Sequence, residues 1–242
     1  MYEPLSSVDV VIPVYNEEAC LRENILKLHG YLEKNSHLRW TIVIADNASL
    51  DKTPEIGKEL AAKYNRVKYR QIPRKGRGFA LRTVFLESVA DAVCYMDVDF
   101  STNLDYLKLL LEGIACGFDI SIGSRLMQAS RVQRRLLREI ISRIYNLLTK
   151  LLFFNRFSDA QCGFKAIRTS VAKRIIPLVE NNHWFFDTEM LLIAEKNHLR
   201  IFEIPVEWTD DLTSKVNIVP TIIEDISGLV RLRLQLMNKK VR

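Results

Sequence analysis

The sequence predicts an α/β domain with a mostly parallel central sheet and helices on both of its faces. Short apolar, β-branched segments alternate with segments whose apolar residues recur at helical spacing, as in parallel strands joined by crossover helices. In addition, the apolar run that begins at Ala92 ends abruptly at Asp97 and Asp99, which places two acids at the rim of the sheet. Open sheets bind their ligands at this rim, so we expect the functional site there.

Length and composition exclude several classes of protein. A chain of 242 residues is normal for one such domain with a tail, and the sequence contains no repeat. The net charge of +6 is local, because residues 131–156 contain seven Lys or Arg and one acid, Glu139; we therefore expect no nucleic-acid partner. The cysteines and histidines lack zinc-ligand spacing, which favours a cytoplasmic protein with reduced thiols. No window of about 18 to 20 residues is free of charge, so any membrane contact is expected to be peripheral.

The first two strands each end at polar residues. Residues 8–14 form the first predicted strand, and a helix is expected to open at Tyr15 with Glu17 in its first turn. Residues 40–45 form the second strand, which ends at Asp46. Asp46 could accept hydrogen bonds from a nucleotide base, but the same residue type also forms turns and caps, and both roles remain open.

The third strand, at 67–70, leads into a basic, glycine-containing turn. Glycines allow backbone N–H groups to approach phosphate oxygens at the start of a helix, and Lys75 and Arg77 add positive charge beside Gly76 and Gly78. The spacing differs from that of a P-loop or a dinucleotide-binding loop. The turn therefore indicates a phosphate site only weakly by itself.

Asp97 and Asp99 are the strongest candidates for chemistry. Two carboxylates so close together repel each other unless a cation or a proton lies between them, and Mg²⁺ or Mn²⁺ prefers carboxylates shared with substrate phosphates. The alternative is that Asp97 ends a strand and Asp99 caps the next helix. A helix at 104–115, a strand at 119–123 and then Arg125 follow.

Residues 131–154 are predicted to form an amphipathic helix with a basic face. The arginines at i, i+3, i+4 and i+7 are Arg131, Arg134, Arg135 and Arg138. The apolar stripe consists of Leu137, Ile140, Ile141, Ile144, Leu148, Leu151 and Leu152. Such a helix could bind an acceptor phosphate or an anionic membrane, or the stripe could simply pack on the sheet while the arginines are solvated.

A last helix is predicted at about 219–237, with a basic end. Its apolar residues are in helical register. It could dock on the core, lie on a membrane, or pair with a second copy of the chain. The sequence alone does not choose among these.

The chain resembles the inverting family 2 glycosyltransferases with the GT-A fold. The motifs that carry the resemblance are residues 11–17, residues 46–53, Lys75-Gly76-x-Gly78, Asp97-x-Asp99 and Gly123-Ser124-Arg125. Residues 159–165, 184–189 and 203–208 are similar to the polyprenyl-phosphate sugar synthases, the dolichol-phosphate mannose and glucose synthase group. The resemblance covers about residues 8–215, so we divide the chain into a catalytic domain, 1–215, and a C-terminal amphipathic basic helix, 216–242.

The resemblance implies a nucleoside pocket lined by Pro13, Tyr15 and Glu17, with Asp46 on the base. Lys75 would contribute to the same donor site. The implied donor is a UDP- or GDP-hexose, and neither the nucleotide nor the sugar, glucose or mannose, is fixed by these residues.

The resemblance also implies roles at the reacting end of the donor. Asp97-x-Asp99 would hold the diphosphate through Mg²⁺ or Mn²⁺, and Arg125 would lie beside the diphosphate or the acceptor phosphate. Gln161 and Asp187 match positions that face the sugar and the acceptor, and Lys215 matches a basic residue on a mobile loop over the site. Mannose synthases commonly follow the acidic pair with Leu-Gln-His, whereas residues 100–102 here are Phe-Ser-Thr, so a glutamine metal ligand is not expected.

These observations predict transfer of a hexose to polyprenyl or dolichyl phosphate by an enzyme bound peripherally to the cytoplasmic face of a membrane. A lipid phosphate arrives largely ionised, so it needs no general base. One alternative is a family 2 glycosyltransferase that acts on a saccharide or protein hydroxyl, in which Asp187 would be the base. Others are a non-catalytic nucleotide-binding subunit of a membrane glycosylation complex and a nucleotidyltransferase. A homodimer or a partner that carries membrane helices also remains open.

Overall fold

The computed structural model of the chain describes residues 4–210 and 218–237. The strands in this part of the chain are β1 (Ser7–Val14), β2 (Arg39–Asn47), β3 (Val67–Ile72), β4 (Ala92–Met96), β5 (Ile120–Ser124), β6 (Arg131–Gln133), β7 (Phe164–Arg168), β8 (Ile201–Pro205) and β9 (Glu207–Thr209). The helices are α1 (Leu21–Asn35), α2 (Thr53–Lys63), α3 (Arg77–Glu87), α4 (Tyr106–Ala115), α5 (Leu136–Phe153), α6 (Thr169–Ile175), α7 (Phe186–Lys196) and α8 (Ile218–Met237). A short 3-10 turn, Ile176–Leu178, follows α6.

The central sheet has the strand order β3-β2-β1-β4-β7-β5-β8. Strand β7 is antiparallel to both of its neighbours, and the other pairs are parallel. The predicted mostly parallel α/β fold is therefore confirmed. Because the chain proceeds from β1 to β2 on one side and later returns to β4 on the other, the carboxyl ends of β1 and β4 form a crevice of the kind that binds ligands in such folds.

Alternation along the strands divides the core into two layers, one on each face of the sheet. Val11 and Val93 contribute to a layer covered mainly by α3, α6 and α7. Val10 and Ile12 contribute to the opposite layer, which α1, α2 and α4 cover. Successive side chains of a strand point to opposite faces, so strands buried on both sides are almost continuously apolar.

The first helix begins at Leu21, so the expectation that it opens at Tyr15 is wrong. Asn16 has a φ of +55°, in the left-handed region, which is incompatible with a right-handed helix. The backbone N–H of Glu17 donates to Thr53 Oγ1 at 2.8 Å. The segment after β1 is therefore a loop that contacts the start of α2.

The four arginines predicted on one helix face are not on one face, and that expectation is wrong. Arg131 lies in β6, Arg134 and Arg135 precede the helix, and Arg138 lies in its first turn. The backbone at residues 131–133 is extended because β6 pairs with β9. Two of the side chains are already engaged: Arg134 with Glu139, and Arg138 with Asp210 at 2.5 Å.

Helix α5 packs with its polar side toward the protein. Its buried residues are Ser142, Tyr145, Asn146 and Thr149. Its exposed apolar residues include Leu136, Leu137, Ile140, Ile144, Leu147 and Leu151. The polar stripe is matched by the core, since Asn146 Oδ1 accepts from the Ala160 N–H at 2.9 Å and Tyr145 Oη donates to Thr188 Oγ1 at 2.8 Å. An ordinary surface helix buries an apolar side instead, although Leu148 and Leu152 of α5 are also partly buried against the core.

Helix α8 confirms the predicted C-terminal helix and also exposes apolar side chains; residues 238–242 of the predicted basic end lie outside the described residues. These are Val219, Ile223, Ile226, Val230, Leu234 and Met237. Its opposite side packs on α5 and α7 through residues that include Leu229 and Leu232. We refer to the exposed apolar side chains of α5 and α8 together as the apolar face. No helix in the described part of the chain is long and apolar enough to span a bilayer.

Candidate active site

The acidic pair lies at the carboxyl end of β4, beside the crevice next to β1. Asp97 directly follows the strand, and its side chain is 43% exposed. Asp99 is exposed, and its carboxylate accepts from the Ser101 N–H at 3.0 Å and from Ser101 Oγ at 2.8 Å. The pair is therefore accessible at the rim, and Ser101 fixes the orientation of Asp99.

Gly163 brings the backbone of a second loop against Asp97. A Cβ added at Gly163 would lie 2.1 Å from Asp97 Oδ2, closer than any real contact. The loop 159–163 precedes β7, which pairs with β4 up to Met96. Glycine at this position therefore allows the loop to pass directly beside the acid.

Arg77 joins Asp97 to Asp187, a contact that the sequence pattern does not predict. Its Nη2 lies 2.9 Å from Asp97 Oδ1, and its Nη1 lies 2.5 Å from Asp187 Oδ2. The Arg77 side chain is 11% exposed. Burial alone would lower the pKa of Arg77, but the two carboxylates raise it above its ordinary value, so the guanidinium stays charged.

The glycines beside Arg77 serve close packing. A Cβ at Gly76 would lie 2.5 Å from the carbonyl oxygen of Asn182, and a Cβ at Gly78 would lie 2.5 Å from Phe186 Cβ. The Gly76 N–H donates to Asn47 Oδ1 at 2.7 Å, so this group is used within the protein rather than presented to a phosphate. The turn thereby delivers Arg77 to Asp187 at the start of α7.

Asp187 is the centre of a buried polar cluster. It is 4% exposed and accepts from Arg77, from Lys165 Nζ at 2.9 Å, and from Tyr95 Oη. Lys165 Nζ also donates to Tyr95 Oη at 3.1 Å and to the Cys162 carbonyl at 2.8 Å. Burial lowers the pKa of Lys165 to about 7 and raises the pKa of Asp187, an effect that Arg77 opposes. Asp187 therefore faces internal donors.

Arg125 is held rigidly by Asp159. Its Nε and Nη2 lie 2.7 and 3.0 Å from the two carboxylate oxygens, and its backbone N–H donates to the same side chain at 3.0 Å. The guanidinium also lies 5.5 Å from the Trp208 ring centroid. Burial alone would raise the pKa of Asp159, but Arg125 holds it at about 2. Asp97 is close enough to interact electrostatically with Arg125, so this cation belongs to the same site.

The residues expected in the nucleoside pocket lie at the ends of β1 and β2. Pro13 is the next-to-last residue of β1, and Lys75 Nζ lies 4.1 Å from the ring centroid of Tyr15. Asp46 is fully buried, and its carboxylate accepts from the Ser49 N–H at 3.0 Å and from Tyr69 Oη at 2.5 Å. The Ser49 contact is the turn-forming role that the sequence left open for Asp46.

Two other predicted residues lie farther along the chain. Gln161 Nε2 donates to Asp225 Oδ2 of α8 at 2.8 Å. Lys215 lies outside the described residues.

The metal-binding capacity of this site is limited to its two rim carboxylates. In the described ranges 4–210 and 218–237, no group of three or more His, Cys, Asp or Glu could hold a metal ion. Two accessible hard carboxylates suit Mg²⁺ or Mn²⁺ when substrate phosphates complete the coordination. The donor set therefore fits an ion that binds together with a diphosphate.

This fold and this site define a nucleotide-sugar transferase of the GT-A type. The family model described as glycosyl transferase family 2 matches residues 9–176. The chain belongs to glycosyl transferase family 2.

Similar sequences include several named glycosyltransferases. Glycosyltransferase AglD of Haloferax volcanii is 35% identical over 95% of this chain, which spans 37% of the length of AglD. The dolichyl-phosphate beta-glucosyltransferase ALG5A of Trichomonas vaginalis is 30% identical, with 98% of this chain and 74% of that protein covered. The human dolichyl-phosphate beta-glucosyltransferase is 29% identical, with 88% and 70% covered.

Solved structures share the fold at low sequence identity. Glucosyl-3-phosphoglycerate synthase from Mycobacterium tuberculosis, in complex with Mn²⁺, UDP-glucose and phosphoglyceric acid, has a TM-score of 0.68 at 16% identity, covering 94% of this chain and 80% of that one. Mannosyl-3-phosphoglycerate synthase from Rubrobacter xylanophilus has a TM-score of 0.68 at 14% identity, covering 98% and 76%. These similarities establish the GT-A fold.

Proposed function

We propose that this chain transfers glucose from a nucleotide sugar to dolichyl or another polyprenyl phosphate at a membrane surface. Family membership supports a nucleotide-sugar donor. The human and Trichomonas relatives are named dolichyl-phosphate beta-glucosyltransferases, which supports glucose as the sugar and a lipid phosphate as the acceptor.

The main structural observation that supports a lipid acceptor is the apolar face. The side chains of Leu137, Ile144 and Leu151 are 63, 61 and 65% exposed on one side of α5, while the polar side of that helix is buried. Large exposed apolar surfaces mark contacts with membranes or other proteins. Lys150 is exposed on the same helix and would favour anionic lipid headgroups, whereas the exposed Arg143 already pairs with Glu139. We therefore place the enzyme peripherally on a membrane, at its cytoplasmic face, where the free cysteines would remain reduced.

The environment of Asp187 favours a phosphate acceptor over a hydroxyl acceptor. A hydroxyl acceptor requires a general base that can reach its proton. Asp187 is buried and accepts from Arg77, Lys165 and Tyr95, so it is poorly placed for that task. A lipid phosphate has a second pKa near 6 and can attack without losing a proton to the protein.

Asp97 and Asp99 are the residues that we propose to hold a divalent cation with the donor diphosphate. When bound, Mg²⁺ or Mn²⁺ would neutralise part of the charge that develops on the leaving diphosphate. Arg77 restrains Asp97 through its 2.9 Å contact, and Ser101 restrains Asp99. The two acids are thus oriented before any ligand binds.

In the proposed reaction, an oxygen of the lipid phosphate forms a bond to the anomeric carbon from the face opposite the diphosphate. The bond from that carbon to the diphosphate breaks, and the diphosphate leaves with the electron pair. Arg125, fixed by Asp159, would donate to phosphate oxygens without first having to reorganise. The protein contributes position and charge, since neither partner needs a proton removed.

The test is a transfer assay with the full chain and vesicles that contain polyprenyl phosphate. UDP-glucose, GDP-glucose and GDP-mannose are supplied separately with Mg²⁺ or Mn²⁺, and the glycolipid is extracted and identified by mass spectrometry. We expect glucosyl polyprenyl phosphate from a glucose donor only when both polyprenyl phosphate and a divalent cation are present. Transfer to a soluble saccharide or protein in the absence of lipid would contradict the proposal.

Paired variants separate catalysis from folding. Asp99→Asn should retain the wild-type melting temperature and lose at least about 100-fold in transfer, a loss typical of removing one preorganised electrostatic group. Asp105→Asn makes the same chemical change at an exposed acid just before α4 and should leave transfer unchanged. Wild-type protein that binds the donor but forms no glycolipid would instead indicate a non-catalytic subunit.

A further inference from the structure

Helix α8 makes specific polar contacts with the loops of the site. Glu224 Oε1 accepts from the N–H groups of Trp184 and Phe185, at 3.1 and 3.3 Å, just before α7. A Cβ at Gly228 would lie 2.4 Å from the ring of Phe185, so glycine at this position allows α8 to pack directly against Phe185. The helix is therefore docked in a single register on the segment that leads to Asp187.

The contact between Asp225 and Gln161 reaches into the loop that forms the site. Gln161 lies between Asp159, which holds Arg125, and Gly163, which lies against Asp97. Its backbone N–H donates to Asp159 Oδ1 at 3.0 Å, and its side-chain Nε2 donates to Asp225 at 2.8 Å. Both the backbone and the amide of Gln161 are thus fixed by carboxylates.

A carboxylate at position 225 determines which way the amide of Gln161 points. In its ionised form this carboxylate accepts hydrogen bonds but cannot donate them, so the NH₂ group of the amide then faces Asp225, as in the 2.8 Å contact. The amide oxygen is then turned away from α8 and can accept a hydrogen bond from a hydroxyl group. The hydroxyl groups of a sugar can donate such a hydrogen bond.

Asp225 is retained at an energetic cost. It is 3% exposed, and its Oδ1 has no hydrogen-bond partner among the described residues. Burial, reinforced by Glu224 and Asp187, raises its pKa to about 7. A buried carboxyl with one unpaired oxygen destabilises the fold, so its presence here suggests a role for the other oxygen.

We propose that Asp225 is a positioning residue that aims the amide oxygen of Gln161 at a hydroxyl group of the donor hexose. Helix α8 then forms part of the donor-sugar site as well as part of the apolar face. This inference rests on the proposed function, because it requires a hexose donor.

The test compares the affinities of UDP-glucose and UDP, measured by calorimetry with Mn²⁺ present. Asp225→Leu removes the acceptor while keeping the number of side-chain heavy atoms. It should weaken binding of UDP-glucose about tenfold, the effect of one buried hydrogen bond, while UDP binds as before. Asp225→Asn can offer Gln161 either a carbonyl acceptor or an NH₂ donor, so its affinity for UDP-glucose should lie between those of Asp225→Leu and the wild type. Ser227→Ala, an exposed position on the same helix, is the matched control.

A structural role alone would give a different result. If Asp225→Leu weakens UDP and UDP-glucose equally, or changes neither in a folded protein, the inference is wrong. If that variant does not fold, Gln161→Met removes the other end of the same hydrogen bond and should give the same tenfold selective loss. Wild-type protein that binds UDP but binds no nucleotide hexose more tightly than the nucleotide alone would refute the proposed donor. This result differs from variants in which the ratio of UDP-glucose to UDP affinity is unchanged, which would refute only the role of Asp225.

Discussion

Replacing two residues of the apolar face with serine should abolish most membrane binding and leave the fold intact. Ile144→Ser combined with Leu151→Ser changes two side chains that are 61 and 65% exposed on the same side of α5. Because about two-fifths of each side chain is buried in the protein, their loss should reduce the free energy of unfolding by only about 0.6–1.2 kcal/mol each. The same exposure makes them available to a bilayer.

The expected loss of binding follows from the exposed area. Complete burial of a Leu or Ile side chain contributes about 1.5–3 kcal/mol, so burying the exposed three-fifths contributes roughly 1–2 kcal/mol for each residue. The double variant should therefore lose about 2–4 kcal/mol of binding. This corresponds to a decrease of roughly 30- to 1000-fold in the partition coefficient.

The assay is cosedimentation with anionic vesicles that lack acceptor lipid, combined with a thermal melt of each variant. Val89→Ser is the control, because Val89 is 90% exposed but precedes β4, at the edge of the sheet opposite the acidic pair. The control should bind vesicles like the wild type. Wild-type binding by a double variant that is still folded in the thermal melt would refute the assignment of this face to the membrane.

Three further predictions concern the site itself. Gly163→Ala should reduce transfer at least tenfold by displacing Asp97, whose Oδ2 would be 2.1 Å from the new Cβ; a folded variant with normal turnover would contradict the close approach. Asp159→Asn should weaken binding of UDP because Arg125 loses its carboxylate partner, and titration calorimetry would detect the change. Asp225 has a pKa raised from 3.8 to about 7 in the folded protein, so its destabilising effect is absent below about pH 4 and complete above about pH 7. Asp225→Asn should therefore gain stability over the wild type as pH rises from 4 to 8, by at most about 4 kcal/mol, and parallel unfolding curves of the two proteins across that range would exclude this effect.

The sequence predicted the parts of the site that depend on local order. Asp97 and Asp99 end a buried strand, and a parallel sheet necessarily brings the ends of β1, β2 and β4 to one edge. The register of these strands follows from their apolar pattern. The sheet and the position of the acidic pair were therefore accessible from residue type and spacing.

Contacts between distant segments were not accessible in this way. Arg77 contacts Asp97, 20 residues away in the sequence, and Asp187, 110 residues away. Nothing in the pattern near Arg77 indicates that it binds two acids. The glycines that permit this contact resemble phosphate-binding glycines in sequence, although they pack against Asn182 and Phe186. Close packing and phosphate binding require the same residue type, so only the tertiary structure separates them.

The orientation of α5 illustrates a different limit. Periodicity locates an apolar stripe on a helix, but it does not say whether that stripe faces the core. Here the core presents Thr188 and the Ala160 N–H to the helix, and these groups are satisfied by Tyr145 and Asn146 of its polar side. Because the core requires these polar partners, most of the apolar stripe faces outward, while Leu148 and Leu152 at its margin pack partly against the core.

The same two helices therefore connect the proposed membrane contact to the chemistry. Helix α5 holds the Ala160 backbone beside Gln161, and α8 holds the Gln161 side chain through Asp225 and the start of α7 through Glu224. A helix is about 10–12 Å across, so a bilayer against the apolar face would lie about one helix diameter from these contacts. A lipid phosphate could then approach the acidic pair while its chain remains in the membrane. Because the site-facing contacts and the apolar face belong to the same rigid elements, a shift of α8 on the membrane would move Gln161 directly. For this reason, vesicle binding should increase the rate of transfer by more than the rise in local acceptor concentration explains. Soluble short-chain polyprenyl phosphate should be a poor substrate without vesicles.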